Sequence, residues 1–281
     1  MRAAGNDSLH ELAQRPLFEP LRALLEDLPR GGVPDVSELN RLLRHIPAPP
    51  AAPTGMPSFF VARANDALSY EERVYQRGEV ATRAGDWHDF FNAAVWLTFP
   101  RAKAALNARH YHALRMKPGQ RLSQRGAVRD AATQFDECGM VVASADPALV
   151  RGLREHAWKH VFWERRHELS ERVRFFVFGH ATYDQLRRPF RGLCAKALFM
   201  DASPPWLTLD LEPQCAAVDA WLCELFNDPR RVTQPSDLAP LPVLGIPGVV
   251  AENGNATYYD DTRQFRPKRA GIARPARRED S

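Results

Sequence analysis

The most constraining stretch of this chain is Asp86–His112, DWHDFFNAAVWLTFPRAKAALNARHYH, where two helical periods meet at Pro100. Asp86 stands where a helix N-cap belongs, and proline is tolerated in the first turn of the helix that follows. Trp87, Phe90, Phe91, Ala94 and Val95 fall on one side of the first segment as a core stripe. His88, Asn92 and Trp96 recur at i, i+4 and i+8 on a different stripe. In the second segment Ala104, Ala105, Ala108 and His112 make a small-residue face, and Lys103, Asn107, His110 and Leu114 share the opposing one. Polar side chains are thus set among aromatic and small residues. An unpartnered polar group in such surroundings costs about 2–7 kcal/mol, so the stretch reads as the wall of a site.

The rest of the chain is read around that wall. Residues 8–28 carry leucines near helical spacing, with Pro16 and Pro20 breaking the helix in two, and Ser37 is expected to cap a short helix through Leu43. Residues 46–57, IPAPPAAPTGMP, read as an extended connection. SFFVAR (58–63) reads as a strand, and YEERVYQRGEVATRAG as a helix or strand running into a polar loop. In RDAATQFDECGMVVAS, Thr133 and Phe135 precede Asp136-Glu137-Cys138-Gly139, and Met140, Val141 and Val142 follow. The spacing predicts a hairpin in which Gly139 supplies a positive φ. Asp146-Pro147 opens a helix, 155–188 is helical in period with His180 inside it, AKALFM (195–200) is a strand, Leu211–Phe226 a helix and 229–248 a loop. Glycine at 179 inside a helix costs about 1 kcal/mol, which points to a close approach by another backbone or a ligand.

The expected architecture is α+β and mainly helical, with one principal domain and a small β-hairpin or short sheet packed on helices. Its divisions are an N-terminal helical arm (1–45), a Pro-rich linker (46–57), a main domain (58–266) and a disordered basic tail (267–281). No run of about 18 apolar residues is present, so no membrane span is expected. The N-terminus carries acids and lacks an apolar core, so it does not read as a secretory signal and a cytoplasmic location is expected. The four cysteines make no CxxC pair. No phosphate-binding glycine loop, dinucleotide fingerprint or GxSxG elbow occurs, which argues against the common nucleotide-dependent and serine-hydrolase classes.

Several pieces together carry a family resemblance: WHDFFNAAVWLTFPRAKAALNARH, RDAATQFDECG, FWERR, RFFVFGHATYD and the late YYDDTRQFRP. In these the chain resembles a bacterial family catalogued only as domain of unknown function 3025. The resemblance implies no activity, substrate or fold, so function is argued from residue chemistry.

The candidate catalytic residues are His88, Asp89, Asn92, Asn107, His110, Asp130 and His180. Imidazoles with a carboxylate from Asp89, Asp130 or Asp136 suit a divalent transition metal, with His88, His110 and Asp130 as the expected ligands. Asp136 and Glu137 themselves read as ordinary turn residues. Between Phe90 and Arg129 there are eight cations and no acid. Arg101, Lys103, Arg109 and Arg129 are the expected anion contacts. Tyr259, Asp260, Asp261 and Arg266 form a late loop that either closes over a site or pins the C-terminus by ion pairs. The reading is a divalent-metal-dependent hydrolase acting on an anionic small molecule, phosphoester or nucleic acid. The alternative is a non-catalytic protein that binds nucleic acid or an acidic partner, with structural histidines.

Overall fold

The computed structural model describes residues 8–29, 32–44, 59–61, 68–115 and 122–268. The expected linker and nearly all of the tail therefore lie outside the described residues. The chain begins with α1 (Leu9–Ala13), a 3-10 turn over Pro16–Leu21, α2 (Arg22–Asp27) and α3 (Val36–Leu43). The cap of α3 is Asp35 rather than Ser37: Asp35 accepts from the Glu38 amide while Glu38 reaches back to the Asp35 amide. This segment packs into the common core, where Phe18 meets Phe91 and Tyr183 at ring separations of 5.9 and 5.3 Å.

β1 (Phe59–Val61) pairs in parallel with β2 (Glu79–Ala81), and α4 (Tyr70–Arg77) lies between them in sequence. A Ser69–Glu72 capping box starts α4, and Gly78 ends it in the left-handed region at φ 69°. The paired wall helices follow as α5 (Trp87–Thr98) and α6 (Pro100–Arg115), with Asp86 accepting from the Asp89 amide and Phe99 breaking the backbone between them.

Beyond α6 the expected hairpin is replaced by a long helix, α7 (Leu122–Cys138), which runs directly into β3 (Gly139–Ser144). Ala131, Ala132 and Phe135 are buried at helical spacing and carry the helix through the supposed turn residues. Gly139 does not have a positive φ. Glycine is needed there because a Cβ would lie 2.9 Å from the Phe135 ring.

α8 (Pro147–Arg154), a π turn over His160–Glu164 and α9 (Arg166–Arg172) lead to β4 (Val173–Val177). The helix expected through 155–188 is thus interrupted by a strand. A short apolar run such as VRFFV fits a buried strand as well as a buried helix, and its Val and Phe content favours the strand. α10 (His180–Arg187) then starts at His180, with Gly179 as its N-cap. β5 (Cys194–Asp201), α11 (Pro204–Leu207) and α12 (Leu211–Asn227) follow. The segment expected as loop contains β6 (Ala239–Pro242), a sheet-edge strand that tolerates its two prolines.

The main sheet has the order β4-β3-β5-β6, with β3 and β5 parallel and both outer pairs antiparallel. Every residue of β3 is buried. The protein is α+β and mainly helical, with a small mixed sheet among helices. Among the described residues no helix is long and apolar enough to cross a membrane.

One buried carboxylate fastens the wall helices. Asp219 of α12 accepts from the amides of Ala102 (2.8 Å) and Arg101 (3.3 Å) in the first turn of α6. Burial outweighs these bonds and pushes its carboxyl up to about 6. A raised acid stabilises the fold fully below its unfolded value and loses that contribution as pH rises through the folded one. Between pH 4 and pH 7 the wild type should therefore lose about 2 kcal/mol relative to Asp219→Asn. Urea midpoints of both proteins at the two pH values measure the difference.

Candidate functional site

Five helices, with Ala81 of β2 and Arg83 beyond it, line a cavity of about 410 Å³. α5 supplies His88, Asp89, Asn92 and Trp96, and α6 supplies Lys103, Leu106, Asn107 and His110. The two stripes expected from the sequence thus face one space. α4 adds Tyr70 and Glu71, α7 adds Thr133, Asp136 and Glu137, and α10 adds His180. The carboxylates taken for turn residues are the last-turn side chains of α7 and belong to the site.

His180 is positioned by the approach of two backbones. A Cβ on Gly179 would lie 2.4 Å from both the Glu137 carbonyl oxygen and the Gly139 nitrogen. The close approach expected at this glycine is made by backbone, at the junction of α7 and β3. Gly179→Ala should cost about 1–3 kcal/mol, as other overpacked sites do, and push His180 away from α7. Urea unfolding and the His180 imidazole resonances would show both effects.

At one end of the cavity, His88 Nε2 and His180 Nε2 are 3.1 Å apart with the rings edge to face. The Glu137 carboxylate lies 3.5 Å from His180 Nε2 and 4.0 Å from His88 Nε2. His180 is 4% exposed, and burial drives its imidazole down to about 4 despite the nearby Asp136 carboxylate. It is therefore neutral at ordinary pH, the form that binds cations. Burial, and next the charge of Asp136, push the Glu137 carboxyl up.

Behind this group runs a polar chain, buried at Lys103 and Asn92 and reaching solvent at Tyr70. Lys103 Nζ donates to Asp136 Oδ1 at 2.6 Å and to Asn92 Oδ1 at 2.8 Å, and Asn92 Nδ2 donates to the Tyr70 hydroxyl at 2.9 Å. Burial works to raise the Asp136 carboxyl, but Lys103, followed by His180, holds it below the usual range. Asp136 Oδ2 lies 3.9 Å from His180 Nδ1. Asn107 Nδ2 donates to the Glu71 carbonyl, and burial pushes the His110 imidazole down from its ordinary value.

The other candidates are placed differently. Asp89 lines the cavity but is held bidentately by Arg83 at 2.8 and 2.9 Å. Asp130 is exposed on α7 and outside the cavity lining. His110 lines the cavity without joining the His88, Glu137 and His180 cluster. Of the expected anion contacts only Lys103 reaches the cavity, and it is paired with Asp136. Arg109 is spent on the carbonyls of Phe226, Asp228, Arg231 and Val232, while Arg101 and Arg129 are exposed.

Tyr259, Asp260, Asp261 and Arg266 do not line the cavity. The Tyr259 hydroxyl donates to buried carbonyls, Asp260 pairs with Lys159 at 2.8 Å, Asp261 pairs with Arg191 at 3.2 Å, and the Arg266 carbonyl accepts from Trp158 Nε1. These contacts tie the late segment to the body. Tyr70, Glu71, Arg83 and Glu137 are the charged or phenolic lining residues that reading the sequence did not assign to the site. Only the buried Ala132–Phe135 spacing on α7 could have signalled the last of them.

The fold and cavity define a mainly helical α+β protein whose helices bring two histidines and a carboxylate together, with His180 buried and His88 and Glu137 open to the cavity. The chain belongs to the family described as protein of unknown function (DUF3025), whose model matches residues 59–269 and so spans the whole cavity lining. No curated protein and no solved structure matches it.

Proposed function

We propose that the cavity is a divalent-cation site with hydrolytic chemistry toward small molecules. One observation carries the reading. His88, Glu137 and His180 each offer a ligand atom, and all three atoms lie within 4.8 Å of one another. Zinc–nitrogen bonds of about 2.0–2.1 Å in a tetrahedron set ligand atoms roughly 3.3 Å apart. The 3.1 and 3.5 Å separations to His180 Nε2 are of that size. Two imidazoles and a carboxylate leave a fourth position for water or substrate, the pattern of catalytic rather than structural zinc. A bound zinc would lower the pKa of that water and polarise a substrate oxygen.

The charge layout supports the same assignment. The cavity's two cations are already paired, Lys103 with Asp136 and Arg83 with Asp89. Glu137 has only His88 and His180 as ion-pair partners among the described residues. A cation there removes a surplus negative charge, and it supplies the contact for an anionic substrate that the paired Lys103 and Arg83 do not. The volume fits a small ligand, so small phosphoesters are the first substrates to test. Elemental analysis of untagged full-length protein is the direct check. About one zinc, manganese or iron per chain is expected in the wild type, and its loss in His180→Ala with unchanged circular dichroism. A wild type that takes up no divalent ion after dialysis against each would sink the reading.

A further inference from the structure

The polar chain that crosses the cavity wall has a direction. A lysine ammonium carries three donors and no acceptor, so the groups bonded to Lys103 must accept from it. On the α4 side, Asn92 accepts through Oδ1 and must present its NH₂ to Tyr70, whose oxygen accepts at 2.9 Å. The phenol proton is then left over, and among the described residues no acceptor takes it. Tyr70 lines the cavity. On the α10 side, Asp136 accepts through Oδ1, and its Oδ2 is the carboxylate oxygen facing His180 Nδ1 at 3.9 Å. Among the described residues that buried nitrogen makes no well-formed hydrogen bond, and the Asp136 groups beside it, carboxylate and backbone, are both acceptors. A carboxylate can only accept, so the proton belongs on Nδ1 and the lone pair on Nε2. Nε2 is the atom beside His88 and Glu137.

We propose that Lys103 sets the polarity of both arms, and that Tyr70 is the hydrogen-bond donor to an oxyanion held at the cation. The assignment of Tyr70 rests on the cation reading above. One arm ends in a lone pair aimed at the cation, and the other ends in a hydroxyl proton offered to the substrate. Lys103 is a positioning residue and touches no substrate. Tyr70 stabilises negative charge as it develops on a substrate oxygen, in the manner of other preorganised donors. Burial, and next the charge of Asp136, raise its phenol above the ordinary value. It therefore donates a hydrogen bond without giving up its proton. The ligand class is an oxyanion with at least one oxygen free to accept while another sits on the cation, as in a phosphoryl or carboxyl group.

The test uses full-length protein with two readouts. Zinc-loaded wild type and Tyr70→Phe are titrated with inorganic phosphate by calorimetry. Equal zinc content and a phosphate affinity about tenfold to a hundredfold weaker in Tyr70→Phe are expected, the range for a hydrogen bond to a charged group. Metal-free wild type and Lys103→Met are examined by long-range ¹H–¹⁵N correlation at His180. The wild type should show the Nδ1–H tautomer, and Lys103→Met a mixture. Zinc binding with equal phosphate affinity, or with no phosphate binding by the wild type, overturns the role of Tyr70 and leaves the cation reading standing. An Nε2–H tautomer in the metal-free wild type overturns the polarity argument. A wild type that binds no zinc removes the cation reading and the Tyr70 role with it, while the tautomer remains readable.

Discussion

Lys103→Met is expected to lower the unfolding free energy by about 3–5 kcal/mol, the range for breaking a buried ion pair from one side. Lys103 is 3% exposed and bonds two groups that depend on it, Asp136 at 2.6 Å and Asn92 at 2.8 Å. Methionine fills much the same volume, so cavity formation contributes little to the loss. The cost arises because Asp136 would be left buried without its cation, and Asn92 without its donor. Adding Asp136→Asn to Lys103→Met should recover most of the stability, since the unpaired charge is then gone. Urea unfolding of the two single variants and the double variant gives the coupling directly. A loss below about 1 kcal/mol would mean that the pair behaves like a surface ion pair and that water reaches Asp136.

Glu137→Gln should move stability and cation affinity in opposite directions. In the metal-free protein, burial and the adjacent Asp136 make a charged Glu137 unfavourable, so the amide should leave stability unchanged or higher. Zinc affinity should fall about a hundredfold. Apparent zinc binding free energies of about 10–16 kcal/mol shared over four ligands amount to about 3 kcal/mol per ligand. Competition with a chromophoric chelator measures the affinity, and thermal melts with and without zinc measure the stability. A group whose removal stabilises the empty protein and weakens the loaded one is held in place by function rather than by folding. Unchanged zinc affinity would remove Glu137 from the ligand set.

Much of the site wall was legible in the chain because the information is local. The stripes His88, Asn92, Trp96 and Lys103, Asn107, His110 follow from a 3.6-residue period, and Asp86 and Pro100 mark where that period starts and restarts. The structure keeps both stripes and turns them toward one cavity. The close neighbour expected at Gly179 is present, but the premise behind it was not: Gly179 caps α10 instead of lying inside a helix, and the need for glycine comes from the α7–β3 backbone packed against it. The acid-free basic window, by contrast, did not translate into a cavity lined with free cations. Charge sign is a property of sequence, but pairing is not. Lys103 is neutralised by Asp136, which lies 33 residues further on, and the Arg109 donors are taken up by carbonyls 117–123 residues away.

What the sequence determined by itself was the mainly helical α+β class and the two helices that carry polar residues inward. Only the tertiary structure decided which of those residues meet. Helix or strand is ambiguous in a short apolar run, so VRFFV became β4 and the DECG turn became the end of α7 once packing on β3 was available. That change moved Asp136 and Glu137 from an imagined turn into the cavity wall. His88 and His180 are 92 residues apart and share no periodicity, yet their Nε2 atoms are 3.1 Å from each other. A contact of that kind is specified by the packing of α5, α7 and α10 around a common core, because local propensity acts over one or two turns and site geometry is assembled across the whole chain.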